Sequence, residues 1–152
     1  MNHEHFMDLA LAEAKKAFEI GEVPIGAVVV RGDEVIALAH NHRETAKNAL
    51  GHAELLAIDE ACKKLGGWRL IGCTMYVTLE PCLMCAGAII NSRIERLVYA
   101  TRDPKAGAVD SLYDVLRDSR LNHQVEVIEG VLAEESSRLL KQFFQELRRA
   151  KG

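Results

Sequence analysis

The sequence predicts an α/β protein, a three-layer α/β/α sandwich around a mixed five-stranded sheet. Segments with helical apolar periodicity alternate with short β-branched runs along the 152 residues. A Gly32-Asp33 turn separates two such runs and predicts an antiparallel hairpin. A strand–helix–strand order over residues 73–100 implies a right-handed parallel crossover. Antiparallel and parallel neighbours together make the predicted sheet mixed.

The first elements are predicted from periodicity and from the residues that interrupt it. Apolar residues at helical spacing predict a helix over His5–Glu19, which Gly21 ends. Val23-Pro24 requires extended backbone, so the apolar run Ile25–Arg31 that follows is predicted to be a buried strand. Glu34–His40 is then the return strand of the hairpin.

The later elements alternate between helix and strand after a polar connection, Asn41–Gly51. A helix is predicted over His52–Leu65, a strand over Cys73–Leu79, a helix over Cys82–Asn91 and a strand over Ile94–Ala100. In this arrangement the two helices start side by side on one face of the sheet. The remaining predicted elements are a polar loop, a short helix, a strand and a final helix: Thr101–Ala108, Ser111–Asp118, Val125–Glu129 and Glu134–Arg149.

Composition predicts one soluble domain. The chain has 152 residues, 49% of them hydrophobic and 27% charged, as in an ordinary globular protein. Residues 2–24 carry seven acidic or basic side chains, so no signal-peptide core is expected there. No apolar run approaches the roughly 20 residues of a membrane helix. Four cysteines without an export signal favour a reducing compartment, so we expect a cytoplasmic protein with no membrane partner.

The charge is unevenly distributed around a net value of −3, with 11 acidic and 5 basic residues in 1–60 but 11 and 14 in 61–152. This overall balance argues against bulk nucleic-acid binding, and no DNA partner is expected. Near the end of the chain, five basic residues accompany a single acidic one: Arg138, Lys141, Arg148, Arg149 and Lys151. They can meet phosphates or form a solvated helix face, and charge alone favours neither. Adjacent Phe143 and Phe144 diverge by about 100°, so one can be core while the other faces a partner or a base.

Two short motifs thirty residues apart hold three candidate zinc ligands: His52-Ala53-Glu54 and Pro81-Cys82-Leu83-Met84-Cys85. Zinc prefers nitrogen and sulfur ligands in a tetrahedral array, and a catalytic site keeps one position open. Cysteines at i and i+3 share one face if they open a helix, where the helix N-terminus also favours the thiolate. We therefore predict one Zn²⁺ per chain, bound by His52, Cys82 and Cys85.

Glu54 makes this metal site a candidate active site. It follows His52 by two residues, and from the first turn of a helix its carboxylate can reach the open side of the metal. There it can take a proton from zinc-bound water and return it to a leaving group. His-x-Glu followed by Pro-Cys-x-x-Cys is the known signature of the zinc-dependent nucleobase deaminases, and the assignment of this chemistry rests on that signature.

Each motif also has a non-catalytic interpretation. A single Cys-x-x-Cys can be a redox pair, a structural zinc half-site or two buried small hydrophobes. The strongest alternative is a closed zinc site with a fourth protein ligand, either Cys73 or His123. Cys62 is a poor candidate, because ten residues along one helix place it roughly 15 Å from His52. An open metal site beside Glu54 favours catalysis, and a closed one favours a structural role.

Longer stretches of the chain carry a resemblance to one enzyme family. They are Gly21–Val28, Asn41, His52–Glu54, Thr78–Ala88, Asp103–Ala108, Asn122-His123, Phe143-Phe144 and Arg148-Arg149. From residue 6 to residue 149 the chain resembles the bacterial tRNA-specific adenosine deaminases, which belong to the cytidine deaminase superfamily. The superfamily shares the zinc motifs, whereas the Asp103-Pro104-Lys105 loop and the aromatic, basic tail point to the tRNA enzymes. Gly51 is a departure, because alanine is expected there in many relatives.

The resemblance implies a cytidine deaminase-like fold and a single zinc-dependent deaminase domain over residues 1–152. It implies a homodimer that hydrolytically converts the wobble adenosine of a tRNA anticodon to inosine and releases ammonia. Glu54 would be the proton shuttle, and the adenosine would be splayed out of the anticodon stem-loop into a pocket. The implied contacts with the base and the RNA are made by Asn41, Ala53, Asp103, Lys105, Phe144 and Arg148.

Two other functions fit parts of the sequence. A deaminase of a free nucleobase or nucleoside, of the guanine or cytosine type, would use the same zinc chemistry. It has no need, however, of a basic and aromatic C-terminal helix. A non-catalytic, zinc-stabilised RNA-binding module would explain the cysteines and the tail, but it leaves Glu54 without a role.

Overall fold

The computed structural model describes residues 2–151, within which the chain forms four helices and five strands. In chain order they are α1 His3–Glu19, β1 Gly26–Arg31, β2 Glu34–His40, α2 Ala53–Leu65, β3 Cys73–Leu79, α3 Leu83–Asn91, β4 Arg96–Thr101, β5 Glu126–Glu129 and α4 Ala133–Lys151. All but one of the predicted helices and strands are present. The outer limits of the predicted domain, Met1 and Gly152, lie outside the described residues.

The sheet has the strand order β2-β1-β3-β4-β5. β1 pairs antiparallel with both β2 and β3, and β4 pairs parallel with both β3 and β5. Gly32, in the turn between β1 and β2, has φ 63°, a left-handed conformation that glycine adopts without a steric penalty. The predicted mixed sheet, its hairpin and its parallel crossover are therefore confirmed.

Helices cover both faces of this sheet. α2 and α3 pack on one face, over a core that includes Ala57, Met75 and Ile89. α1 and α4 cover the other face, where Met7 and Tyr76 belong to a second buried cluster. This is the predicted α/β/α sandwich. Within residues 2–151 no helix combines the length and the apolar character that crossing a bilayer requires.

The predicted helix Ser111–Asp118 is wrong, because this segment is a series of turns. Its backbone groups bond to residues outside it. The N–H of Val115 donates to the carbonyl of Ala108, and the carbonyl of Leu116 accepts from the N–H of Val125. Short helical periodicity is a weak signal, since a helix of two turns is marginal without tertiary support. Here tertiary hydrogen bonds favour a different backbone path.

Candidate active site

The starts of α2 and α3 lie beside each other and bring together residues thirty positions apart. His52 immediately precedes α2 and Cys82 immediately precedes α3, both with extended backbone. In the described chain neither side chain caps its own helix, so each is free to face the other. Cys85 lies in the first turn of α3 and is fully buried. Two helix N-termini therefore direct their partial positive charge at one point, which favours thiolates there.

The three donor atoms are spaced as a tetrahedral zinc site requires. His52 Nδ1 lies 3.8 Å from Cys82 Sγ and 3.5 Å from Cys85 Sγ. All three donor atoms lie within 4.8 Å of one another. With Zn–S bonds of about 2.3 Å and Zn–N bonds of about 2.0 Å, neighbouring nitrogen and sulfur ligands are about 3.6 Å apart. The chemistry and spacing of the donor set thus fit zinc.

The two candidate fourth ligands lie elsewhere. His123 Nε2 bonds to the carbonyl of Ile94 at 2.8 Å, and Cys73 Sγ contacts the carbonyl of Ile71 at 3.9 Å. Among residues 2–151, no fourth histidine, cysteine or carboxylate donor joins the cluster of His52, Cys82 and Cys85. The closed site with Cys73 or His123 is therefore contradicted, and three protein ligands leave one tetrahedral position open.

The charge state of the two sulfurs also favours a cation. Hydrogen bonds from Cys85 and His52 lower the pKa of Cys82 to about 4, against the opposing effect of burial. The pKa of Cys85 is raised, because its thiol donates to Cys82 and because it is buried. The pair thus shares one negative charge, and a divalent cation between the sulfurs would favour loss of the second proton.

Glu54 is a buried carboxyl group beside these ligands. It lies in the first turn of α2, is 4% exposed and has the Cys85 side chain beside it. Burial is the main reason that its pKa is raised to about 7, while the neighbouring His52 acts in the opposite direction. A carboxyl group with such a pKa can both accept and donate a proton near neutral pH.

His52, Glu54 and Cys82 lie in the wall of a cavity of about 510 Å³. This volume is typical of small-ligand sites, and half of the lining residues are polar or charged. Six segments of the chain contribute its lining: Val23, Ile25, Asn41, Arg43, His52, Glu54, Leu79, Glu80, Cys82, Arg102, Asp103, Pro104, Lys105, Ala106, Leu140 and Phe144.

Seven of the ten predicted site residues line this cavity: Asn41, His52, Glu54, Cys82, Asp103, Lys105 and Phe144. Cys85 is fully buried, and its Sγ lies 3.5 Å from His52 Nδ1. Ala53 is fully buried in the core and does not line the cavity. Arg148 lies in an adjoining groove that Lys105 and Phe144 also line. The structure therefore brings these residues together around one site, and their individual roles remain predictions.

Hydrogen bonds fix the orientation of two of the predicted substrate-binding side chains. Asn41 Nδ2 donates to the carbonyl of Val23 at 3.3 Å, and Asn41 Oδ1 accepts from the N–H of Arg43 at 3.1 Å. Asp103 Oδ1 accepts from the N–H groups of Lys105 and Ala106, which folds the loop into a turn. Asp103 thus shapes the loop that presents Lys105 to the cavity.

Sequence reasoning missed the cavity residues Glu80, Arg43 and Arg102, and it missed Glu22 behind one wall. Glu22 is buried and accepts hydrogen bonds from the N–H groups of Glu44 and Thr45 at 3.1 and 2.5 Å. These bonds hold the connection that carries Arg43. A usable signal was present for Glu80, because a carboxylate between a buried apolar strand and the Pro-Cys motif must find polar partners.

Comparison with known proteins identifies the class and then the family. A family model for MafB19-like deaminases matches residues 1–148, so the chain belongs to the deaminases. The tRNA-specific adenosine deaminase of Bacillus subtilis (strain 168) is 57% identical over 97% of this chain and 92% of its own. That of Aquifex aeolicus (strain VF5) is 49% identical over 97% of both chains. The chain belongs to the family of tRNA-specific adenosine deaminases.

Solved structures agree with the fold. One comes from a study of A-to-I editing by tRNA:A34 deaminases at the wobble position of transfer RNA. It has a TM-score of 0.86 and 46% identity, over 89% of this chain and 98% of that chain. The guanine deaminase from Nitrosomonas europaea has a TM-score of 0.79 over 92% of this chain and 83% of its own. Its 24% identity supports a shared fold alone. The predicted cytidine deaminase-like fold is confirmed.

Proposed function

We propose that residues 1–152 form a single zinc-dependent hydrolase domain that deaminates the wobble adenosine of a tRNA anticodon to inosine and releases ammonia. The observation that carries the proposal is a three-ligand His52, Cys82, Cys85 cluster beside buried Glu54 at the wall of one cavity. Family membership supports the substrate class, since the relative from Bacillus subtilis is named a tRNA-specific adenosine deaminase and is 57% identical.

We assign one zinc ion per chain to His52 Nδ1, Cys82 Sγ and Cys85 Sγ, because these donors have the spacing and charge that the ion requires. Bound zinc supplies a hydroxide nucleophile at neutral pH by lowering the pKa of a coordinated water molecule. The two helix N-termini and the buried sulfurs hold the donors in place. The redox interpretation of Cys-x-x-Cys is disfavoured because His52 shares the cluster.

Glu54 is proposed to move the proton. Its carboxylate accepts a proton from the attacking water and delivers it to N1 of adenine as the water oxygen bonds to C6. It then takes the second proton from the new C6 hydroxyl and delivers it to the amine as the C6–N bond breaks, so that water and adenosine give inosine and ammonia. Its position at the cavity wall and its pKa of about 7 suit both transfers.

The substrate base is proposed to enter the cavity between apolar walls that include Val23, Ile25 and Leu79. Asn41, whose amide is held by two backbone groups, would bind the base through a polar contact. The nucleotide must be splayed out of the anticodon loop to reach C6, and loop nucleotides are already partly unstacked. The base itself would then lie inside the cavity, and contacts at the cavity mouth would be made by the rest of the RNA.

A basic and aromatic rim supports RNA as the substrate. Phe144 is 41% exposed at the cavity and can stack on a base, whereas its neighbour Phe143 is buried. Lys105 and Arg148 line the adjoining groove with Phe144, and they suit phosphate contacts. The predicted division of the Phe143-Phe144 pair between core and surface is confirmed, and the RNA contacts are part of the proposal.

The homodimer is also a proposal. A shallow groove runs between α2 and α3, where Ile58, Cys62 and Trp68 lie next to Ala88. Trp68 is 51% exposed, and large exposed apolar side chains on a monomer often mark a protein interface. Sedimentation equilibrium of the wild-type protein tests this, and a monomer at micromolar concentration would contradict it.

Purified zinc-loaded protein tests the reaction directly. Ammonia release and inosine formation are measured with an anticodon stem-loop that has adenosine at the wobble position. Free adenosine, cytidine and guanine are offered in parallel. Inosine at that one position is the expected result. Turnover of a free base with the RNA untouched would support the free-base deaminase instead, and zinc binding without any turnover would support the RNA-binding module.

A further inference from the structure

Glu80 is a buried carboxylate that the proposed chemistry does not use. It directly follows β3 and is 2% exposed. Its two oxygens accept hydrogen bonds from the backbone N–H groups of Asp103, Val109, Asp110 and Ser111 at 2.8–3.0 Å. The hydroxyl of Ser111 donates to it as well. An ionised carboxylate only accepts hydrogen bonds and has about four lone-pair positions, so these five donors occupy its whole accepting capacity.

The segment that Glu80 binds packs tightly around it. Gly107 lies over the carboxylate, and a Cβ at this position would fall 2.3 Å from Glu80 Cδ. The same segment forms an isolated β-bridge between Cys82 and Gly107, and the N–H of Ala108 donates to the carbonyl of Pro81. Residues 103–111, which we call the 103–111 loop, are therefore fastened to the chain that leads into the zinc-ligand motif.

The fastened loop carries one wall of the cavity. Asp103, Pro104, Lys105 and Ala106 all line it, and Lys105 also lines the adjoining basic groove. These four residues are mostly exposed, in contrast to the buried stretch from Gly107 to Val109. The exposed half of the loop thus depends on its buried half for its position.

We propose that Glu80 is a positioning residue for RNA binding: its carboxylate holds the 103–111 loop so that Lys105 and its neighbours meet the RNA backbone at the cavity mouth. The inference rests on the proposed function for its substrate. Glu80 itself touches neither the zinc ligands' donor atoms nor the reacting atoms in this assignment. Its action is exerted through the loop.

The test compares Glu80→Gln with the wild type and with Glu34→Gln, an exposed carboxylate at the β1–β2 turn. Glutamine keeps the shape of the side chain, but its NH₂ group cannot accept from the backbone N–H groups. Gly107→Ala is a second variant that disturbs the same contact from the loop side. Hydrogen exchange is read at Gly107 and Ala108, whose N–H groups bond to Asp103 and Pro81 rather than to Glu80.

Faster exchange at Gly107 and Ala108, with β3 unchanged, is the expected result in both variants. KM for the anticodon stem-loop should rise about tenfold, because charge-assisted hydrogen bonds that order the loop are lost. In contrast, kcat and the zinc content should stay close to those of the wild type. The Glu34→Gln control should match the wild type in every measurement.

Other outcomes would overturn the proposal. Unchanged exchange at Gly107 and Ala108 would show that Glu80 does not hold the loop. An unchanged KM with a lowered kcat, or loss of zinc, would place its effect on the metal motif instead. If the wild type fails to deaminate the stem-loop, the proposed function is refuted, and the RNA role of the loop is refuted with it. The exchange experiment needs no substrate, so it separates the two failures.

Discussion

Replacing Glu54 by glutamine isolates the proton-transfer role that we assign to it. The two side chains have nearly the same volume and shape, so a buried position that is 4% exposed can accept the change without a cavity. The glutamine amide retains hydrogen-bonding capacity toward Cys85. It cannot take up or release a proton near neutral pH, and the change therefore removes the chemistry while it keeps the packing.

The expected loss of turnover follows from this role. General acid–base catalysis contributes typically about 10²–10⁴-fold, and Glu54 is assigned two proton acceptances and two deliveries in each turnover. We therefore expect kcat to fall by about 10³–10⁴-fold, which corresponds to about 4–5.5 kcal/mol of barrier. Stability should not fall, because burial already disfavours the charged carboxylate, as its pKa of about 7 indicates.

The assay is single-turnover inosine formation on an anticodon stem-loop, with zinc measured in the same preparations. Glu60→Gln is the matched control, since Glu60 is an exposed carboxylate on the same helix. A Glu54→Gln protein that contains one zinc per chain and keeps more than about a tenth of wild-type turnover would refute the proton-shuttle role. Loss of zinc from the variant would instead show that Glu54 supports the metal site.

The other predictions concern the metal, the loop behind the cavity and the RNA rim. Cys82→Ala should abolish stoichiometric zinc binding, because two ligands remain of three, and metal analysis showing full zinc content would contradict the ligand assignment. Glu22→Gln should lower the free energy of unfolding at pH 7 by about 1–3 kcal/mol. Hydrogen bonds from the N–H groups of Glu44 and Thr45 outweigh the cost of burying the carboxylate, and glutamine cannot accept all of them. Those N–H groups lower the pKa of Glu22 in the folded protein. The stability difference between wild type and variant is therefore fully present above the pKa that Glu22 has in the unfolded chain, and it disappears as pH falls through the pKa of the folded protein. Denaturant titrations of both proteins between pH 7 and about pH 3 check this, and a stability difference that stays constant would contradict it. Phe143→Ala should cost about 3–5 kcal/mol of stability because the ring is buried, whereas Phe144→Ala should keep the stability and raise KM for the stem-loop about tenfold through lost stacking. Equal thermal stabilities of these two variants would show that the assignment of core and surface is wrong.

The two loops that form the cavity walls share one structural device. Buried Glu22 binds the N–H groups of the connection after β2, and buried Glu80 binds those of the 103–111 loop. In each case burial opposes ionisation, yet hydrogen bonds from the loop lower the pKa of the carboxyl group. Loops that carry binding residues must be held on a rigid scaffold to be specific. Here the scaffold is extended by carboxylates rather than by further helix or strand.

The sequence alone determined the order of the elements and the chemistry of the candidate metal ligands. Periodicity, glycine turns and prolines act over a few residues, so each of the nine observed elements corresponds to a predicted one, with limits that differ by at most two residues. Histidine and cysteine in the two motifs indicated zinc because donor type is a property of the residue itself. The resemblance to a known family supplied the substrate class, which no spacing could give.

Only the tertiary structure decided which distant groups meet. The 3.5 Å and 3.8 Å separations within the cluster of His52, Cys82 and Cys85 depend on two helix starts that lie side by side. The same holds for the 103–111 loop and for the segment after it. There the chain forms hydrogen bonds with Glu80 and with other distant residues instead of the predicted helix Ser111–Asp118. Local sequence cannot encode such bonds, because each joins a donor and an acceptor that are far apart in the chain, and their energy appears only once the sheet has brought them together.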